Sequence, residues 1–66
     1  MNVIVNGVSR EVETGETLAS LVAALQLADK RIAIEVNEEI VPRSGYDAHR
    51  LHAGDRVEVV TAIGGG

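Results

Sequence analysis

The sequence has 66 residues, a formal net charge of −4 at pH 7 and no Cys, so it predicts one small domain stabilised by aliphatic burial, without disulfides or thiolate metal ligands. The negative charge and the lone aromatic residue, Tyr46, argue against nucleic-acid binding, which needs positive charge and stacking side chains. No basic leader precedes an apolar run and no stretch is long enough to span a bilayer, so we expect a cytoplasmic protein that binds no membrane.

Two short β-prone runs flank Asn6-Gly7 near the N-terminus. Asn-Gly is the preferred pair for a type I′ turn, because both of its residues must take positive φ, so the sequence predicts a hairpin here. Alternation along the first strand places Val3 and Val5 on the core side and Ile4 on the opposite face.

A helical pattern follows this hairpin. Thr17 is the predicted N-cap of a helix that runs to about Leu27 and ends near residues 29–30. Apolar residues at i, i+3, i+4 and i+7 form its buried stripe. These residues are Leu18, Leu21, Val22 and Leu25.

A second pair of strands is predicted after the helix. Residues 32–36 alternate between apolar and polar side chains as a half-buried strand does. A short strand at residues 40–41 follows the polar break at residues 37–39. Strand pairing is expected to end at Pro42, because proline has no N–H to donate to a ladder.

The remaining segment predicts a crossover and a final strand. Residues 44–51 are too few and too polar for a core helix, so we expect a helical turn or an irregular crossover, with Tyr46 packed over it. A turn at Gly54-Asp55 then leads into an alternating strand at residues 56–60.

This order of elements predicts a two-layer α+β domain, which we interpret as a β-grasp (ubiquitin-like) fold. It comprises a mixed sheet of four to five strands with one main helix across one face. In this fold the final strand lies beside the first. We expect the domain to span residues 1–63 and a flexible C-terminal glycine tail to span residues 64–66.

The three terminal glycines, Gly64, Gly65 and Gly66, favour a mobile tail, because glycine packs no core and is entropically unfavourable to order. A frayed end is the alternative interpretation, since chain termini are often disordered. A thin tail can also carry a terminal carboxylate into another protein's active site. Without a thiol in the chain, the α-carboxylate of Gly66 is the attachment point that we expect for a carried group.

Five motifs occur in one order along essentially the whole chain, and together they are specific although each is weak alone. They resemble the thiamine-biosynthesis sulfur carrier family, the ThiS type of the ubiquitin-like β-grasp proteins. Some members end on two glycines, so the third glycine bears on how Gly64 would sit in a partner's channel and leaves the role of Gly66 unchanged. The motifs are Val5-Asn6-Gly7, Thr14-Gly15-Glu16-Thr17-Leu18, Val36-Asn37-Glu38-Glu39-Ile40-Val41-Pro42-Arg43, Gly54-Asp55 and Ala62-Ile63-Gly64-Gly65-Gly66.

The resemblance implies a protein co-substrate and not an enzyme. An E1-like adenylyltransferase, using ATP and Mg, would activate the carboxylate of Gly66, and a sulfur donor such as a cysteine desulfurase would convert it to a thiocarboxylate. Thiazole synthase would then consume that sulfur to form the thiazole ring of thiamine. The carrier itself would bind no cofactor and would be a monomer when free.

An apolar docking patch is predicted at the root of the tail, because Ile4 and Val60 point away from the helix on adjacent strands and Ile63 follows them. His49 and His52 are three residues apart, yet nothing nearby completes a zinc site except Asp47 and Asp55. We therefore expect no metal site.

Two other functions stay open at this point. The small subunit of molybdopterin synthase uses the same thiocarboxylate chemistry, although those chains are usually longer, and residue chemistry alone does not separate the two pathways. A non-catalytic β-grasp regulatory or binding module would share the helix entry at residues 15–18 but would need no free α-carboxyl group. An acyl carrier protein is excluded, because its helical bundle does not fit a strand-rich sequence.

Overall fold

The computed structural model describes residues 1–61. The strands are β1 (Asn2–Val5), β2 (Val8–Glu11), β3 (Ile32–Val36), β4 (Glu39–Val41) and β5 (Arg56–Thr61), and the helix α1 (Leu18–Ala24) joins β2 to β3. Within the described residues they form one five-stranded sheet in the order β2-β1-β5-β3-β4. β1 and β5 are parallel and the other neighbours are antiparallel. The predicted β-grasp arrangement, with the last strand beside the first, is confirmed.

The N-terminal hairpin forms as predicted. Asn6 (φ 49°) and Gly7 (φ 82°) both take the positive φ that a type I′ turn requires. Val3 and Val5 are buried on the helix side of β1, and Ile4 is half-buried on the opposite face. The hairpin therefore supplies part of the core from one face only.

A second two-residue turn joins β3 to β4. Val36 pairs with Glu39, so Asn37 (φ 52°) and Glu38 (φ 71°) alone form the turn, and β4 begins one residue earlier than the sequence predicts. The sequence predicts the polar break here but not a two-residue turn, because Glu38 stands where a type I′ turn favours glycine.

We expect Glu38→Gly to stabilise the domain by about 0.5–1 kcal/mol. A left-handed backbone costs a non-glycine residue roughly 1–2 kcal/mol, and the entropy that glycine loses on folding offsets about 0.5–1 kcal/mol of the gain. Urea denaturation measures the change, with Glu39→Gly in β4 as a control that should destabilise. A Glu38→Gly protein no more stable than the wild type would contradict the assignment of strain to this turn.

Helix α1 begins as predicted and ends earlier. The hydroxyl of Thr17 accepts a hydrogen bond from the Ser20 N–H at 3.2 Å, which confirms the predicted N-cap. The helix stops at Ala24, however, because Gln26 turns left-handed (φ 62°). Its N–H donates to the Ala23 carbonyl and the Leu27 N–H donates to the Val22 carbonyl, each at 3.0 Å. This Schellman pattern closes the helix three residues before the predicted end.

The core lies between α1 and the sheet. Leu18 and Leu21 are fully buried, whereas Leu25 packs only at the edge of the core. Tyr46 is buried as predicted, and its carbonyl accepts a hydrogen bond from the Ala19 N–H at 3.1 Å. The other buried apolar residues are Val3, Val5, Val12, Val22, Ile34, Val36, Leu51 and Val57.

The connection between β4 and β5 contains a 3-10 turn at Arg43–Gly45 and otherwise lacks regular structure, as predicted. Its last turn is held by Asp55, whose largely buried carboxylate accepts hydrogen bonds from the Asn37 side-chain amide at 3.0 Å and from the His52 N–H at 2.8 Å. These bonds join the start of β5 to the β3–β4 hairpin.

Candidate functional site

The candidate site is the C-terminal end of β5, which leads into the predicted tail. Ile63, Gly64, Gly65 and Gly66 lie outside the described residues, so their predicted roles stay predictions. β5 itself lies in the middle of the sheet, and its last residue, Thr61, pairs with Ile32 of β3. The chain therefore reaches residue 62 from the central strand.

The pairing of β5 with β1 covers fewer residues than its pairing with β3. The β1–β5 ladder ends at Val5 and Val57, and the backbone N–H of Asn6 then donates to the Val57 carbonyl at 2.9 Å. Beyond this point the side chain of Asn6 continues the pairing. Its Nδ2 donates to the Val59 carbonyl at 3.2 Å, and its Oδ1 accepts from the Val59 N–H at 2.8 Å.

Sequence reasoning missed this contact. The local pattern explains Asn6 fully as a turn residue, and its partner Val59 is 53 residues away. Only the parallel register of β1 and β5 brings the two together.

Ile4 and Val60, the predicted docking residues within the described part of the chain, are not neighbours on the sheet. Ile4 pairs with Arg56 at the start of β5, whereas Val60 lies four residues further along that strand. Four residues of strand span about 13 Å, and Glu58 occupies the intervening position on the same face. The expectation of a contiguous Ile4–Val60 surface is therefore wrong, because the parallel register pairs β1 with only the first part of β5.

Val60 instead joins β3. It is 65% exposed and pairs with Ala33. Arg31 and Ile32 complete the wall of a largely apolar groove of about 290 Å³ beside this pair. Of the predicted docking residues in the described part of the chain, Val60 is the one that lies at the tail end of β5.

Two carboxylates lie side by side on the same face. Glu35 and Glu58 are exposed and pair directly across β3 and β5, an arrangement that is destabilising for like charges. Ile40 lies on the far side of Glu35 and is 75% exposed. The face of the sheet opposite α1 thus combines exposed aliphatic side chains with a pair of carboxylates.

Neither His49 nor His52 belongs to a group of potential metal ligands within residues 1–61. The His52 side chain is 81% exposed, with Nδ1 3.9 Å from Asp55 Oδ2. No three His, Cys, Asp or Glu side chains within residues 1–61 are arranged to hold a metal ion. The same residues contain no helix with the length and apolar character needed to cross a membrane.

Arg43, the last residue of the motif at residues 36–43, has a local structural role. Its guanidinium donates to the Lys30 carbonyl at 2.6 Å and to the Ala28 carbonyl at 3.2 Å, and it lies 5.9 Å from the centre of the Tyr46 ring. These contacts hold the connection between α1 and β3 against the crossover.

Comparison with known proteins identifies similar chains over the full length of the sequence. A sequence model described as the ThiS family matches residues 3–66. The crystal structure of a thiamine biosynthesis protein (ThiS) from Geobacter metallireducens is 33% identical and aligns with a TM-score of 0.84, covering 100% of both chains.

Two curated relatives differ in how much of their length the chain spans. The sulfur carrier protein ThiS of Bacillus subtilis is 37% identical over 54 residues, which cover 82% of this chain and 80% of that protein. A thiazole synthase of Paramagnetospirillum magneticum is 36% identical over 66 residues, which cover 100% of this chain but 20% of that protein. The chain thus spans about one fifth of the length of the thiazole synthase relative.

Proposed function

Because the chain belongs to the ThiS family, we propose that it is a sulfur carrier of thiamine biosynthesis that bears sulfur as a thiocarboxylate on Gly66. The observation that carries the proposal is the position of β5. A Cys-free chain has no side-chain thiol to hold sulfur, and the strand that leads to its glycine residues lies at the centre of the sheet. The similarity to the Bacillus subtilis sulfur carrier supports the same conclusion.

The chemistry assigns each catalytic step to a partner. A carboxylate is a poor electrophile, so an E1-like adenylyltransferase would first join the Gly66 carboxylate to AMP, using ATP and Mg. The outer sulfur of a persulfide formed on a donor such as a cysteine desulfurase would then displace AMP and give an acyl disulfide, which a thiol would reduce to release the thiocarboxylate. The resulting thiocarboxylate is a better nucleophile than the carboxylate, and thiazole synthase would use it to build the thiazole ring. The carrier contributes the reacting terminus and a docking surface.

The direct test is charging in vitro. The chain is incubated with an E1-like adenylyltransferase, ATP, Mg, a cysteine desulfurase, free cysteine and a thiol reductant, and intact-protein mass is expected to show one exchange of oxygen for sulfur at the C-terminal peptide. Delivery of that sulfur to thiazole synthase, and not to a molybdopterin synthase large subunit, would assign the pathway. Absence of the exchange, with partners that charge a known ThiS protein, would overturn the proposal.

Docking is proposed to involve Val60 and, beyond the described residues, Ile63. We expect Val60→Asp to lower kcat/KM for charging about tenfold, the effect of losing about 1.4 kcal/mol of binding. Val8→Asp is the matched control, because Val8 is 67% exposed against 65% for Val60 and lies at the edge of the helix-covered face. Equal rates for the two variants would place the interface elsewhere.

Ile4→Asp tests how far the docking surface extends. Ile4 lies on the same face as Val60 but beside Arg56, so a surface confined to the tail end of β5 would leave charging of Ile4→Asp close to the wild-type rate. A loss as large as that of Val60→Asp would extend the surface to β1.

A further inference from the structure

The side-chain amide of Asn6 occupies the position of a strand residue. β1 ends at Val5, and on that side of β5 the backbone groups of Val59 have no β1 residue opposite them. The amide presents one donor and one acceptor, the same pair that a peptide unit presents. It satisfies both the carbonyl and the N–H of Val59.

The Asn6 contact means that the end of β5 is hydrogen-bonded on both of its sides. On the β3 side pairing continues to Thr61, whereas on the β1 side the bonds to Asn6 are the last that the described residues provide. Without them, the end of β5 would be held from one side only. Fixed strand direction at this point matters, because β5 leads directly into residues 62–66.

The turn itself does not require an amide at this position. Glycine fits both central positions of a type I′ turn, and Gly7 already follows Asn6. The local backbone therefore accounts for positive φ at residue 6 but not for the bonds to Val59.

We propose that Asn6 is a positioning residue, whose amide fixes the end of β5 and thereby sets the direction in which the C-terminal residues reach a partner's active site. The inference rests on the proposed function, since it supposes that Gly66 reacts there. It assigns Asn6 no chemical step.

Asn37 provides a matched position at the other end of β5. It is also the first residue of a two-residue turn with positive φ (52°), and its Oδ1 accepts from the Arg56 N–H at 3.0 Å. Asn37→Gly thus removes an amide contact from the start of the strand, together with the bond from Asn37 Nδ2 to Asp55 Oδ1, and Asn6→Gly removes an amide contact from its end.

Amide hydrogen exchange in the isolated protein tests the contact. In Asn6→Gly the Val59 amide should exchange about three- to tenfold faster, the factor for losing one ordinary hydrogen bond, and the Arg56 amide should not change. Asn37→Gly should show the reverse. Asn6→Asp should speed Val59 exchange less than Asn6→Gly, because one carboxylate oxygen can still accept from the Val59 N–H although the other cannot donate to the Val59 carbonyl. Unchanged Val59 exchange in Asn6→Gly would overturn the inference.

Steady-state charging by the E1-like enzyme, with the carrier as the varied substrate, tests the positioning role. A misdirected terminus on an intact docking surface should lower kcat roughly tenfold with little change in KM, within the ~100-fold that a 1 Å misplacement can cost. A smaller folded fraction would instead raise the apparent KM at constant kcat. We expect the kcat loss in Asn6→Gly and not in Asn37→Gly.

The outcomes separate this inference from the proposed function. Charging of Asn6→Gly at the wild-type kcat would overturn the positioning role and leave the sulfur carrier proposal intact. A wild-type protein that is not charged at all would overturn the proposed function and the positioning role together, and the exchange data would still decide whether the Asn6 contact exists in solution.

Discussion

Adding residues after Gly66 is expected to reduce thiocarboxylate formation to the background level. The extension converts the α-carboxyl group of Gly66 into an amide, which cannot be adenylated. It also places a side chain on the new terminus, where glycine offers only main chain to a narrow channel. Intact-protein mass after incubation with the charging enzymes measures the loss.

Stability provides the control for this experiment. The extension begins five residues beyond Thr61, where β5 ends in the described part of the chain, so the urea midpoint of the extended protein should equal that of the wild type. An N-terminal tag is a poor comparison, because the Met1 amino group donates to Glu11 Oε2 at 3.0 Å and to the Val12 carbonyl at 2.8 Å. Charging of the extended protein at the wild-type rate would mean that sulfur is attached elsewhere.

Leu21→Ala is expected to unfold a large part of the protein population. Leu21 is fully buried between α1 and the sheet, and truncation of such a leucine costs about 2–5 kcal/mol. A chain of this size has a total stability of roughly 3–10 kcal/mol, so the loss is comparable with the whole. Urea denaturation followed by circular dichroism gives the free energy of unfolding for the variant and the wild type.

Leu25→Ala is the matched control for this change. Leu25 is the C-cap of the same helix and only packs against the rim of the core, so its truncation should cost clearly less. Alanine favours helix at least as well as leucine, so a difference between the two variants reports on burial alone. Equal losses would contradict the assignment of the core to this face of α1.

Features set by neighbouring residues could be predicted from the sequence. The Asn6-Gly7 pair specifies its turn through backbone conformation, and the spacing of Leu18, Leu21 and Val22 specifies the buried face of α1. The end of the helix could not be predicted, because Gln26 takes a left-handed conformation that a sequence normally marks with glycine. The two-residue turn at Asn37 and Glu38 could not be predicted either, because Glu38 also takes a left-handed conformation without being glycine.

The candidate site was predictable in its chemistry and less so in its geometry. The absence of Cys and the terminal glycines together predict the α-carboxylate of Gly66 as the attachment point. The relation of Ile4 to Val60, however, depends on the register of two strands more than 50 residues apart along the chain, and alternation gives the face of each residue without its neighbours. The contact between Asn6 and Val59 depends on the same register.

The parallel pairing of β1 with β5 has a mechanical consequence. The N-terminal strand and the strand that leads to the C-terminus run side by side at the centre of the sheet, so tension between the two ends slides β1 along β5 and loads their hydrogen bonds together. An energy-dependent protease that pulls on the C-terminus must therefore extract the central strand before any edge strand separates. The same strand order would then slow degradation from that end.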